Sequence, residues 1–214
     1  MAAPYTSRHT RVRNRSISEG IVTAELVECR RLPGVDGLWA FIGADSMIFA
    51  ILFVSFMQDR LHNAARFDAC RQTLNMHLGG LNTLILLTSS WLVALAVRAI
   101  RRDLDDRISR YLLWGVLTGV MFVVSKSIEY FQKISHGITP ATDTFYMWYF
   151  VLTGIHLTHV LLGISLLTYL WVNSRRGVYN SSRQVVPECV ASFWHLVDLL
   201  WIVLFPLLYL QKAI

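Results

Sequence analysis

Apolar residues fall along this chain in five long runs, and the short polar segments between them are rich in arginine. The fourth run is the most continuous. From Phe145 to Trp171 it contains no Asp, Glu, Lys or Arg. An α-helix rises about 1.5 Å per residue, so about 20 apolar residues cross a hydrocarbon core of ~30 Å. The pattern therefore predicts five membrane-spanning helices, at about residues 36–57, 78–97, 111–134, 145–171 and 188–210. The fold class this implies is all-α: a polytopic five-transmembrane-helix bundle. Short connections predict that successive helices are antiparallel neighbours.

Residues 1–35 are of a different kind. Residues 1–20 carry Arg8, Arg11, Arg13 and Arg15 but lack the apolar stretch that a secretory signal needs. Their Arg- and Ser-rich composition is that of a transit peptide, yet the Leu-rich face of such a peptide is missing. The reading is a basic cytoplasmic N-terminal arm. A short surface helix over Ile21 to Cys29 is expected before the break at Leu32-Pro33-Gly34.

Composition agrees with the pattern. A chain that is 54% hydrophobic and 16% charged, with a mean hydropathy of +0.45, is too apolar for a soluble surface. The net charge of +6 raises nucleic acid as a partner. The basic residues, however, stand at the ends of the runs, which fits membrane topology and anionic headgroups and excludes a nucleic-acid footprint. Fourteen of them precede the first run or lie between runs two and three and runs four and five. Five (Arg60, Arg66, Arg71, Lys133 and Lys212) lie on the other side. The positive-inside rule then puts the N-terminus in the cytoplasm and the C-terminus outside. Trp148, Trp171 and Tyr209, near helix ends, are expected to anchor at the interface. Cys29, Cys70 and Cys189 form no paired motif and are read as reduced or inert.

The candidate chemistry lies in polar residues inside these runs, where they are costly unless they face protein or water. On the fourth helix His156, His159 and Gly163 share one side, by spacings of three and four. On the fifth, Glu188, His195 and Asp198 fall at i, i+7 and i+10, with Trp194 and Trp201 one heptad apart beside them. On the third, Lys126 and Glu129 are one turn apart, and the first span holds Asp45. Together these residues predict an inward-facing polar seam, closed by neighbours that approach at Gly154 and Gly163. Lys126 is the expected counter-charge of Asp45. Three readings of the seam remain open: a metal or haem site on His156, His159 and His195; a proton relay; or hydrogen-bonded pairs that fix the helix packing. No nucleophile elbow, phosphate loop or HExxH is present, so soluble-enzyme chemistry has no seat.

At this point the residues resemble a known family. Thr144-Phe145, followed by Thr153-Gly154-Ile155-His156-Leu157-Thr158-His159-Val160 and Gly163, resembles the fourth conserved helix of haem-copper oxidase subunit III. Glu188 followed by Phe193-Trp194-His195-Leu196-Val197-Asp198 and Trp201 resembles its "E…WHFVD..W" signature. Ser127-Ile128-Glu129-Tyr130, Leu81-Asn82-Thr83, and the stretch from Gly37-Leu38-Trp39 to Phe49 match further elements, in order, over about residues 36–211.

The resemblance implies an accessory, non-catalytic subunit that binds no cofactor itself. Haem and copper would sit in a partner catalytic subunit of the subunit I type, in a bacterial cytoplasmic membrane. It also implies that the chain stabilises that partner, holds phospholipids and supports proton uptake. Two departures stand out. Seven-helix members carry two further N-terminal helices, which form a lipid cleft, and residues 1–35 are too polar for even one. Asp45 stands where the family usually has Glu, as in the branch associated with nitric oxide reductases. Oxygen and nitric oxide both remain open as the terminal acceptor. The other class in view is a stand-alone proton-coupled transporter built on the same buried acids.

Overall fold

The computed structural model describes residues 36–179 and 183–210. The expected basic arm and the helix over Ile21 to Cys29 lie outside the described residues. Five helices are long and apolar enough to cross a membrane: α1 (Asp36–His62), α3 (Met76–Arg101), α4 (Asp105–Ser135), α5 (Thr144–Ser174) and α6 (Val185–Phe205). A short helix, α2 (Ala64–Arg71), lies between α1 and α3, and a π-helical turn (Pro206–Leu210) continues α6. Each spanning helix overruns its expected run by about a turn or more at one or both ends.

Local chemistry sets these ends. The Asn75 side chain accepts from the N–H groups of His77 and Leu78 at the start of α3, and Asp143 accepts from Phe145 N–H at the start of α5. At the other end, α4 closes with Gly137 at φ +76°, the N–H of Ile138 reaching the Lys133 carbonyl at 3.0 Å. After α5, Gly177 at φ +67° does the same, with Val178 N–H on the Asn173 carbonyl at 3.3 Å. Both turns need the left-handed backbone that glycine adopts without a steric penalty.

Helices α3, α4, α5 and α6 pack in a ring, each against the next, with α6 closing onto α3. Helix α6 is the most enclosed of them. Helix α1 stands outside this ring and rests on α5 and α6, not on α3. The expectation that successive spans are neighbours fails here. Helix α2 and its flanking turns carry the chain across the end of the bundle, which lets α1 dock elsewhere. Phe67 of α2 is buried against Phe56 of α1 and Phe145 of α5, so the connector is pinned to the bundle by an aromatic triplet. Only one stripe of α1 is covered, with Phe49 and Phe56 fully buried and Asp45 nearly so, while Met47, Ile48, Ile51 and Val54 face outward.

Close approach inside the ring depends on glycine. A Cβ on Gly163 of α5 would lie 2.6 Å from the Trp194 ring, and one on Gly119 of α4 would lie 3.0 Å from the same ring. Trp194 thus occupies a slot that two helices open by omitting a side chain, the small-residue packing expected in a membrane. Gly79 of α3 plays the same part against Phe205 and Tyr209. Gly154 does not: its Cβ position has nothing within 4 Å, so its expected packing role is withdrawn.

Pro206 has no N–H to donate, and the chain passes it as a π turn rather than an α turn. The wider turn brings Leu208 and Tyr209 inward together, at 0% and 1% exposure. Tyr209 is therefore not an interfacial anchor. Its ring lies inside the bundle.

Candidate functional site

The polar residues inside the spans do not form one seam. They fall into separate groups. The largest centres on Lys126, at 2% exposure, and Glu129, at 4%. One helical turn brings the Lys126 ammonium to 2.9 Å from Glu129 Oε2. It donates also to the hydroxyls of Tyr209 at 2.9 Å and Tyr149 at 3.3 Å, and Tyr209 in turn donates to Glu129 Oε1 at 2.7 Å. The rings of Trp201 and Tyr149 lie 5.0 and 5.1 Å from the ammonium. A buried ion pair is tolerated when its remaining donors and acceptors are satisfied, and this one is nearly saturated.

Lys126 is consequently not the partner of Asp45. The two sit on helices that run in the same direction, Asp45 in the first third of α1 and Lys126 in the last third of α4, so they occupy opposite halves of the bundle. Asp45 meets His159 instead, with 3.1 Å between Oδ1 and Nε2. The other ring nitrogen of His159, Nδ1, lies 2.8 Å from the Ile155 carbonyl oxygen. Phe49 and Phe193 flank the histidine ring.

On the far side of α6, His195 Nδ1 meets Ser90 Oγ at 2.5 Å. Asp198, one turn on, is 4% exposed and lies beside Ser90, and neither of its oxygens makes a hydrogen bond of normal geometry with a described residue. Glu188 is not inside the bundle. It takes both Nε and Nη2 of Arg101, at 3.0 and 2.7 Å, where α3 ends beside the start of α6. Arg101 is half exposed there, so the pair ties two helix ends at the surface.

His156 is wholly enclosed, between the edge of Phe122 and the face of Trp201, and neither ring nitrogen has a hydrogen bond with a described residue. Of the two histidines of α5, His159 makes a hydrogen-bonded pair, with Asp45, and His156 makes none with a described residue. Its stripe on α5 holds Tyr149, His156 and Gly163 at heptad spacing, whereas His159 turns toward α1. Trp201 is anchored by its own N–H on Thr83 Oγ1 at 3.0 Å, while Trp194 fills the glycine slot. Among the described residues no three His, Cys, Asp or Glu side chains converge at metal-ligand spacing.

Sequence reasoning missed several of these partners. Tyr149 was accessible from its heptad spacing to His156. Tyr209 was hidden by the π turn, and Ser90 had no signal to separate it from other small residues of α3.

These residues lie in a stretch that matches a known family model, Cytochrome c oxidase subunit III, over residues 24–212. The chain belongs to this family. Among its relatives, cytochrome c oxidase subunit 3 of a Synechocystis species is 33% identical over 175 residues, which cover 81% of this chain and 74% of that one. The Thermostichus vulcanus protein of the same name is 31% identical, over 81% of this chain and 85% of its own length. A probable quinol oxidase subunit 3 of Staphylococcus haemolyticus is 26% identical, over 81% and 87%. The subunit III family is thus established over nearly all the described residues, and with five apolar helices the chain is a multi-pass membrane protein.

Proposed function

We propose that this subunit III is the accessory, non-catalytic component of a bacterial haem-copper terminal oxidase, packed against a catalytic subunit of the subunit I type. In this reading haem and copper belong to the partner, and the chain binds neither. Its work is to stabilise the partner, to hold membrane phospholipid around it and to support proton uptake. The observation that carries the reading is the match to the family over residues 24–212, with relatives named as subunits of cytochrome c and quinol oxidases. Those names favour oxygen as terminal acceptor over nitric oxide. Asp45 in the place of Glu is what supports the nitric oxide reductase branch as the second reading.

The proposed orientation keeps the N-terminus in the cytoplasm. The count of basic residues supports it: Arg98, Arg101, Arg102, Arg107, Arg110, Arg175, Arg176 and Arg183 lie at the end where α3 and α5 finish, against Arg60, Arg66, Arg71 and Lys133 at the other.

The Asp45–His159 pair then lies toward the cytoplasmic half, on the helix with the least covered surface. In this reading the carboxyl and imidazole side chains take up a proton from the cytoplasm and pass it on to a neighbouring acceptor without changing the covalent structure. Its role is to keep protons available to the partner. Asp45→Asn removes the acid but keeps the side chain's shape. The experiment is the turnover of the whole complex followed over many cycles. Lower turnover, or activity that decays sooner, is expected; unchanged turnover and unchanged persistence would make Asp45 a packing residue only.

A further inference from the structure

A second buried cation stands beside the Lys126 group. Lys133, two turns after Lys126 on α4, is 7% exposed. It makes no ion pair or hydrogen bond with a described residue, and its nearest neighbours of note are the rings of Tyr149, at 5.4 Å, and Tyr146, at 6.0 Å. It lines a cavity of about 280 Å³ between the start of α3 and the end of α4, walled by Thr73, Asn75, Leu78, Glu129 and His136 among others.

Two features of this cavity favour an anion. The first is charge. Glu129 also reaches it, but both Glu129 oxygens are engaged, one by Lys126 and one by Tyr209, so one ammonium is left in excess. Leaving that charge uncompensated in a low-dielectric interior is costly. The second is the N-terminus of α3, a helix of 26 residues whose first turn, with its Asn75 cap, borders the cavity. Aligned peptide dipoles there attract negative charge, although the Asn75 side chain already accepts from the N–H groups of His77 and Leu78. The walls add hydrogen-bonding groups in Thr73, Asn75, Gln132 and His136.

We propose that this cavity is a phosphate-binding site in which Lys133 supplies the charge and the start of α3 the dipole. The occupant is a phosphate group at the membrane surface, either the headgroup of a phospholipid or free phosphate. The proposal rests on the reading of the chain as a lipid-holding membrane subunit and gives one lipid contact an address.

The test uses the intact complex with wild-type chain, Lys133→Met and Lys133→Arg. Native mass spectrometry counts retained phospholipid, and equilibrium dialysis with labelled inorganic phosphate follows delipidation, both scored per copy of this chain. A lipid occupant predicts one phospholipid fewer in Lys133→Met, restored in Lys133→Arg. A free-phosphate occupant predicts equal lipid counts and phosphate affinity about tenfold weaker in Lys133→Met, the size of one charge-assisted hydrogen bond. No difference in either arm overturns the site. A cryo-EM map of the wild-type complex needs no variant: density within hydrogen-bond distance of Lys133 Nζ is expected, and an empty cavity rejects the proposal. The ratio of haem partner to this chain, read in the same samples, reports separately on the proposed assembly.

Discussion

At the scale of single residues, burial decides which polar groups matter to stability. Lys126 and Glu129 saturate each other with two tyrosines, so removing one partner leaves a buried charge unpaired. Lys126→Met should cost about 3–5 kcal/mol, and the double variant Lys126→Met/Glu129→Leu much less, because two apolar side chains leave no orphan. Thermal unfolding of the detergent-solubilised complex checks the order; equal losses would mean that the pair is not coupled. Gly163 makes the opposite point. Its Cβ position is 2.6 Å from a fully buried tryptophan, so Gly163→Ala should destabilise by about 1–3 kcal/mol through overpacking, whereas Gly154→Ala should be near neutral. The heptad of Tyr149, His156 and Gly163 could be read from spacing alone. Which of two sequence-adjacent histidines finds a carboxylate could not. His156 and His159 differ by about 300° around the helix axis, and only the placement of α1 shows that His159 faces Asp45.

At the scale of elements, hydropathy made five helices legible because each has to bury its backbone polar groups in itself. It did not reveal their ends, which depend on caps and on polar turns beyond the apolar run. Asp143 illustrates the difference between a cap and an ion pair. Asp143→Ala should cost about 1 kcal/mol through the lost cap on α5, while Arg66→Ala, whose guanidinium is largely exposed, should stay within about 0.5 kcal/mol. Paired melting curves of the two variants check this, and an equal loss from Arg66→Ala would put the surface ion pair above the cap. Helix α2 was invisible to an apolar scan because it is only eight residues long and three of them, Arg66, Asp68 and Arg71, are charged, with Phe67 as the one large buried group. The course of α6 past Pro206 was equally hidden. A proline is evident in the sequence, but a π turn that swings Tyr209 into the core follows only from how α3 and α4 receive it.

At the scale of the whole molecule, the arrangement is a ring of four helices with a fifth laid against it. The ring encloses the glycine slot, the Lys126 group and His156, and these residues have structural reasons to be where they are. Helix α1 brings Asp45 to the ring's outer surface and presents a broad apolar face of Met47, Ile48, Ile51 and Val54 beyond it. A membrane protein can leave such a face to lipid or give it to a partner. The sequence motifs pointed to the family before any geometry was known, and the match over residues 24–212 agrees with them. What they could not supply was the division of the polar residues into independent groups, since spacing along one helix says nothing about the helix opposite. The central claim, that the chain works as part of an oxidase, is tested most directly by what travels with it. Purified in mild detergent from its own membrane, the chain should bring down a large haem- and copper-containing subunit in a fixed ratio, with oxygen reduction in the preparation and no haem absorbance in the isolated chain. Recovery of the chain alone, or only with copies of itself, would contradict the account.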